Sequence, residues 1–418
     1  GFSGTGPSIS NNEPFAAGTY DLSASGPAGY SAGDWACEGG SQDDADSVTL
    51  APGESVACTL TSNDIAPSLT LAVQVSNDYG GTASPADWLL QASGPAGFLG
   101  TGPSVSNGTG FQAGTYDLSE SGPAGYTGDW SCVGGSPIVG DSVTLGIGQT
   151  VTCTLSVNDI EPSLTLQKVV VNDNGGSALP SAWTLTAAGP AGFSGTGPSV
   201  PSGANFQAGT YDLSESGGVA GYTAGAWSCV GATQVDADTV LIAPGQDATC
   251  TLTNDDVAPT LTLVKQVTND NGGTSLAADW TLSAAGPTGF SGRTPAAFSG
   301  AGFAAGTYDL SESGPDGYSA GDWSCVGGSQ VDGDTITLAL GQSATCTLHN
   351  DDIPPSLTLV KQVVNDNGGS AVESNWTLTA SGPTPISGIG PSVASDASFE
   401  AGTYDTLWLE RQMAAEEA

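Results

Sequence analysis

Residues 260–273 read TLTLVKQVTNDNGG, and residues 305–318 read AGTYDLSESGPDGY. In the first stretch apolar residues alternate with polar ones and then give way to an Asn/Gly turn. In the second the alternation resumes. A period of two marks strands with one buried face, and Asn and Gly tolerate the positive φ that tight turns require. Both stretches recur. The second starts again near Ala17, Ala113 and Ala208, and the first near Ser68, Ser163 and Ser356. Such a period decides architecture before local propensity does. First cysteines at 37, 132, 229 and 325 give a beat of about 96 residues, the size of one small β-sandwich domain and not of a solenoid repeat.

Working outward from these stretches, alternation between 260 and 355 predicts strands at 261–267, 279–285, 306–313, 322–326, 335–340 and 344–348. The fold class is therefore all-β, a tandem array of Ig-like sandwiches. Length alone suggests about three domains, and the repeat refines this to units at 67–162, 163–258 and 259–354, with incomplete pieces at 1–66 and 355–405. The 62 Gly and 25 Pro are too much punctuation for helical bundles. Pro354 and Pro355 stiffen a junction, so an extended rod is expected. Residues 406–418 leave the register and are rich in helix formers, which suggests a capping helix or a frayed tail.

The piece 1–66 enters mid-unit and lacks the first two strands, whereas 355–405 carries them. A strand bearing Ser356, Leu357, Leu359, Lys361 and Val363 could therefore be donated to the open sheet of another copy. The alternative is an excerpt from a longer array.

The chain has 43 acidic residues, five basic residues and one histidine, a net charge of −38. No basic patch for phosphate can be assembled, which excludes a nucleic-acid partner, and an anionic membrane surface is disfavoured. A disordered acidic polymer would carry similar charge, but 38% apolar residues and nine Trp are enough to build cores. No apolar run is long enough to span a bilayer.

The eight cysteines fall into pairs of constant spacing: Cys37 with Cys58, Cys132 with Cys153, Cys229 with Cys250, and Cys325 with Cys346. One disulfide per unit is expected. A zinc site would need four ligands, and no unit offers CxxC with a histidine. The compartment is then oxidising: secreted, periplasmic or cell-surface. Trp35, Trp130, Trp227 and Trp323 each precede a cysteine by two residues and share its strand face, so core packing is expected; a carbohydrate platform would need them exposed.

The three lysines, Lys168, Lys265 and Lys361, all occupy the fifth position of LTL-x-K. Lys265 shares a face with Leu261 and Leu263, the core face, and a buried ammonium needs a partner or a reaction. Partners recur in register: Glu120, Glu215 and Glu312 in YDLSES, and Asn254 and Asn350 four residues after the second cysteine. In these motifs the chain resembles the Cna protein B-type and SpaA-like prealbumin-like domains of bacterial surface adhesins and pilins. The resemblance covers nearly all of 1–405. It implies a prealbumin-like fold, a bacterial cell-surface location, and an intramolecular isopeptide bond between Lys168 and Asn254 assisted by Glu215, and between Lys265 and Asn350 assisted by Glu312. A buried salt bridge without bond formation is the alternative. The unit 67–162 has Val73 and Val157 at the reacting positions while keeping Glu120, and 1–66 has Ala24 and Ser62, so no covalent bond is expected in either.

Asx clusters at Asp270 and Asp366 in the first loop, and at Asp255-Asp256 and Asp351-Asp352 at junctions, are candidates for calcium. Their spacing matches no EF-hand, and turn chemistry accounts for them. His349 stands where other units have Thr253, Ser156 and Thr61, so no catalytic set can be built, and no cofactor or enzymatic activity is expected. The function expected is a non-enzymatic extracellular stalk, pilus-like fibre or filament that self-associates into a linear homopolymer. The alternative is the repeat stalk of an adhesin or ligand-binding surface protein, with a host or surface ligand left open.

Overall fold

The computed structural model describes residues 1–11, 14–293 and 295–406. The expected terminal helix at 406–418 lies, but for its first residue, outside them.

Residues 259–354 fold into two facing sheets. In one, Thr260–Thr268 lies between Ala296–Phe298 and Ser343–Asp352, and the latter also pairs with Tyr318–Ala320 and Ser324–Val326. The other runs in the order Phe290–Gly292, Thr281–Ala285, Gly306–Ser313, Thr335–Leu338, Ser329–Gln330. First and last strands pair in parallel, from Thr260↔Ser343 to Thr268↔Asp351. The remaining pairings in the domain are antiparallel. The same orders recur in 163–258.

Alternation decides what each strand buries. Leu261, Leu263, Leu282, Tyr308 and Ile336 are each fully buried between the sheets, and truncating one such leucine to alanine costs about 2–5 kcal/mol. Trp130, Trp227 and Trp323 lie in the same layer, buried as expected, whereas Trp35, on the two-stranded sheet of the N-terminal piece, is only half-buried.

Four disulfides close with the expected partners. Cys37 bonds to Cys58, Cys132 to Cys153, Cys229 to Cys250 and Cys325 to Cys346, each at a sequence separation of 21. Each joins directly opposed residues of neighbouring strands. Cys153, Cys250 and Cys346 are fully buried in the cores of complete domains. Cys58 is only half-buried, because the sheet that carries it has two strands, Tyr30–Glu38 and Ala57–Asp64. Each bridge stabilises its unit by about 3 kcal/mol in the chain-entropy view.

Strand limits differ from the sequence reading in instructive places. The segment expected to begin a strand at Asp279 is a 3-10 turn, Ala277–Asp279, because the Asp279 carboxylate accepts the Leu276 N–H (2.8 Å). The strand expected at 322–326 covers only Ser324–Val326, and a separate strand, Tyr318–Ala320, precedes it; the two pair with Ser343–Asp352 one residue out of step, from Ala320↔Asn350 to Ser324↔Thr347. The last strand is longer than expected, Ser343–Asp352, and 335–340 stops at Leu338. Short edge strands such as Phe290–Gly292 and Ala296–Phe298 have too few residues to show a period. In the end pieces, Gly18–Asp21 and Ala57–Asp64 form part of the N-terminal sheets, and Thr358–Val360 and Thr377–Ala380 form part of the C-terminal ones. The strand expected to bear Ser356, Leu357, Leu359, Lys361 and Val363 is thus shorter. No helix among the described residues is long and apolar enough to cross a membrane.

Domains are joined by hydrogen bonds that repeat from junction to junction. The Ile160 N–H donates to the Gly125 carbonyl of one domain, and its own carbonyl accepts the Gly245 N–H of the next, each at 2.8 Å. Val257 makes the same pair of bonds to Gly221 and Gly341. The first loop of each domain adds a third contact: the carbonyls of Tyr79, Asn174 and Asn271 accept N–H groups from Ala208, Ala305 and Ala401 of the following unit, at 2.7, 2.7 and 2.6 Å. A linker bonded on both sides is stiffer than its length suggests.

Candidate functional site

In residues 163–258 the parallel register sets Lys168 opposite Leu252 and Val170 opposite Asn254. Lys168 and Asn254 therefore project from neighbouring strands into the core, where both are almost wholly buried, 3% and 2% exposed. Glu215 reaches them from the facing sheet, where it pairs with Leu185. Its carboxylate serves both: Oε2 accepts from Lys168 Nζ at 2.8 Å, and Oε1 accepts from Asn254 Nδ2 at 3.0 Å. The ammonium lies 5.1 Å from the centre of the Trp183 ring. Asn254 Oδ1 is buried with no hydrogen-bond partner among the described residues.

Residues 259–354 repeat the arrangement. Glu312 accepts from Lys265 Nζ at 2.6 Å and from Asn350 Nδ2 at 2.7 Å, Nζ lies 5.0 Å from the Trp280 ring centre, and Asn350 Oδ1 is again orphaned. Burial pushes the Lys168 and Lys265 amines below the ordinary lysine value, and the carboxylate beside each restores only part of that shift. An amine so placed is easier to neutralise than one in water. Burying an orphaned amide oxygen carries a free-energy penalty.

The domain 67–162 is assembled differently at the same place. Val73 and Val157 are buried in its core cluster, and Glu120, exposed, accepts the Trp130 indole N–H at 2.8 Å. That pairing was not legible from residue spacing, although Glu120 and Trp130 were each noted. In 1–66, Ala24 and Ser62 are exposed. Lys361 has its ammonium 4.7 Å from the Trp376 ring centre.

The acidic residues at the junctions clamp loops. Asp256 accepts backbone N–H groups from Asp173, Asn174 and Gly176, and Asp352 accepts them from Asp270, Asn271 and Gly273, at 2.6–3.1 Å. Asp159 holds Tyr79 and Gly81 likewise, a position the sequence reading passed over although its register with Asp256 and Asp352 is visible. Burial raises the Asp352 carboxyl, but the three N–H groups outweigh that and hold it below the usual value. Asp270 is pushed up, chiefly by the charge of Asp351. Of the calcium candidates, Asp255 and Asp256 group with Asp173, and Asp351 and Asp352 with Asp270, with carboxylate oxygens within 4.8 Å of one another. Asp366 joins neither group and accepts from Asn367 Nδ2. His349 is exposed, bonded to Thr268 at 2.8 Å.

Five segments, 2–60, 64–155, 159–252, 256–348 and 352–412, match a family described as a prealbumin-like fold domain. No curated protein matches significantly. Among solved structures, the Bacillus anthracis TIE protein is 13% identical over 80% of this chain and 69% of its own, with a TM-score of 0.40. The major pilin of Streptococcus pyogenes is 14% identical over 46% of this chain and 97% of its own, with a TM-score of 0.24. Two B repeat units of the collagen-binding protein Cna of Staphylococcus aureus are 10% identical over 73% and 87%, with a TM-score of 0.20. Since the matched segments take in nearly every described strand and share one beat with the disulfides and the buried lysines, the chain belongs to the family of SpaA-type prealbumin-like fold domains.

Proposed function

We propose that this protein is a non-enzymatic element of an extracellular stalk or fibre at a bacterial surface, in which the domains 163–258 and 259–354 are each locked by a Lys–Asn isopeptide bond. The observation that carries this reading is the single carboxylate holding both reaction partners in each core. A proton passes from Nζ to the glutamate, leaving a neutral amine and a neutral acid, the pair that a poorly solvated site favours. The Nζ lone pair attacks Cγ of the asparagine, and negative charge develops on the orphaned Oδ1. The new Nζ–Cγ bond forms, the Cγ–Nδ2 bond breaks, and the glutamate relays the proton lost by Nζ to Nδ2, which leaves as ammonia. The reaction occurs once per domain and is maturation. Intact mass of the folded, disulfide-bonded chain tests it: two ammonia molecules below the calculated mass is the expected result, and the full mass refutes it.

Assembly by strand donation is a finer reading. Ala57–Asp64 pairs with Tyr30–Glu38 on one side, whereas in complete domains the corresponding strand also takes a parallel first strand. Thr358–Val360 of another copy has that sequence register, and because Ala24 and Ser62 replace the glutamate and asparagine, such a joint would be non-covalent. Fibres in electron micrographs that vanish on Leu359→Pro would support it, and a chain that stays monomeric at high concentration would end it. The stalk of an adhesin remains the second reading, and a ligand-binding domain adjoining the array would favour it. Calcium at Asp173, Asp255 and Asp256, and at Asp270, Asp351 and Asp352, would rigidify either form; calorimetric titration of metal-stripped protein with no heat would remove it.

A further inference from the structure

The parallel pairing of first and last strands sets the path of tension. In 163–258 the chain enters beside Ser163↔Asp247 and leaves beside Val171↔Asp255, at the opposite end of the ladder. In 67–162 the ladder runs the same way, from Ser68↔Thr150 to Ser76↔Asn158. A pull on the two linkers therefore loads either ladder in shear. With Lys168 bonded to Asn254, tension crosses directly between those residues and 169–253 carry none; with Lys265 bonded to Asn350, 266–349 are spared in the same way. The domain 67–162 has Val73 and Val157 at these positions, both buried in the core. Its first and last strands are held by backbone hydrogen bonds and side-chain packing, each hydrogen bond worth about 0.5–1.5 kcal/mol net.

We infer that 67–162 is the extensible element among the three complete domains, a limited-stroke spring in series with two covalently locked ones. The inference rests on the isopeptide reading. Its stroke is set by the disulfide, because Cys132 and Cys153 stay joined when the ladder parts and hold residues 133–152 back. The Glu120–Trp130 bond leaves the load path open, since neither residue lies on the first or last strand. The linker bonds at Ile160 and Ile65 deliver tension to the domain without a slack segment.

The test stretches the full chain by its two ends at constant pulling speed, a regime governed by unfolding rate, with intact mass measured on the same preparation. The expected trace has one domain-sized step, roughly 200–250 Å for about 75 released residues, lengthening by about 70 Å when the disulfides are reduced. Glu312→Ala, which removes the group that would drive the reaction, should add a second such step while the deficit from the variant's own calculated mass shrinks from two ammonia molecules to one. Three equal steps in a chain two ammonia molecules light, or none at all, overturn the inference and leave the covalent bonds standing. Three equal steps at the full calculated mass overturn the isopeptide reading itself, and the inference with it.

Discussion

The domains 67–162 and 163–258 have the same parallel ladder, a disulfide of the same spacing and the same aspartate-clamped loop, yet they fill one patch of core in opposite ways. One places two valines there. The other places a lysine and an asparagine, and a glutamate from across the sandwich holds them both. The valine pair is the cheaper packing, since burying an ion pair recovers its desolvation cost only with good geometry. The polar set makes physical sense where the cost is removed by reaction, which converts two buried polar groups into one neutral amide. The retained Glu120 shows what the carboxylate does without them: it turns outward and takes the Trp130 indole.

The comparison can be broken in three places. The largest effect is expected from Glu215→Ala, which should leave the chain only one ammonia below its own calculated mass and leave Lys168 and Asn254 buried without a partner. The lost pairing costs about 3–5 kcal/mol, and the lost cross-link adds about 4 kcal/mol by the chain-entropy estimate; thermal melting of that domain should move accordingly, while 67–162 melts as before. Next, Val73→Lys alone should destabilise 67–162 by about 3–5 kcal/mol through an uncompensated buried charge. Adding Val157→Asn should restore stability and remove one ammonia from the mass; restored stability without that loss would show that proximity to Glu120 is insufficient for the bond. The smallest effect is acid loosening of the loop clamp. Because the folded Asp352 carboxyl is held below the ordinary aspartate value of 3.8, its contribution is fully present above that pH and is lost as pH falls through the lower folded value. Amide exchange at Asn271 and Gly273 should rise there before the core amides do.

Much of this was legible in the sequence because it is written in one dimension. The beat of the cysteines, the period-two alternation and the common register of Lys168, Lys265 and Lys361 require only counting, and the core face of Lys265 follows from its spacing to Leu261 and Leu263. The paired substitution of Val73 and Val157 was readable for the same reason. Shorter features were not. The one-residue shift between Ala320↔Asn350 and Ser324↔Thr347 depends on pairing with a strand distant in sequence, and the turn at Ala277–Asp279 on one carboxylate reaching back three residues.

By itself, then, the sequence determined the all-β repeat, the disulfide partners and which polar side chains must enter a core, since all three follow from periodicity. Only the tertiary structure decided that one carboxylate touches both lysine and asparagine, that Glu120 serves Trp130 instead, and that Asp159, Asp256 and Asp352 hold the loops that bind the next domain. These depend on distances between residues up to about 80 positions apart, set by the sheet order and the separation of two packed sheets, neither of which a linear pattern contains.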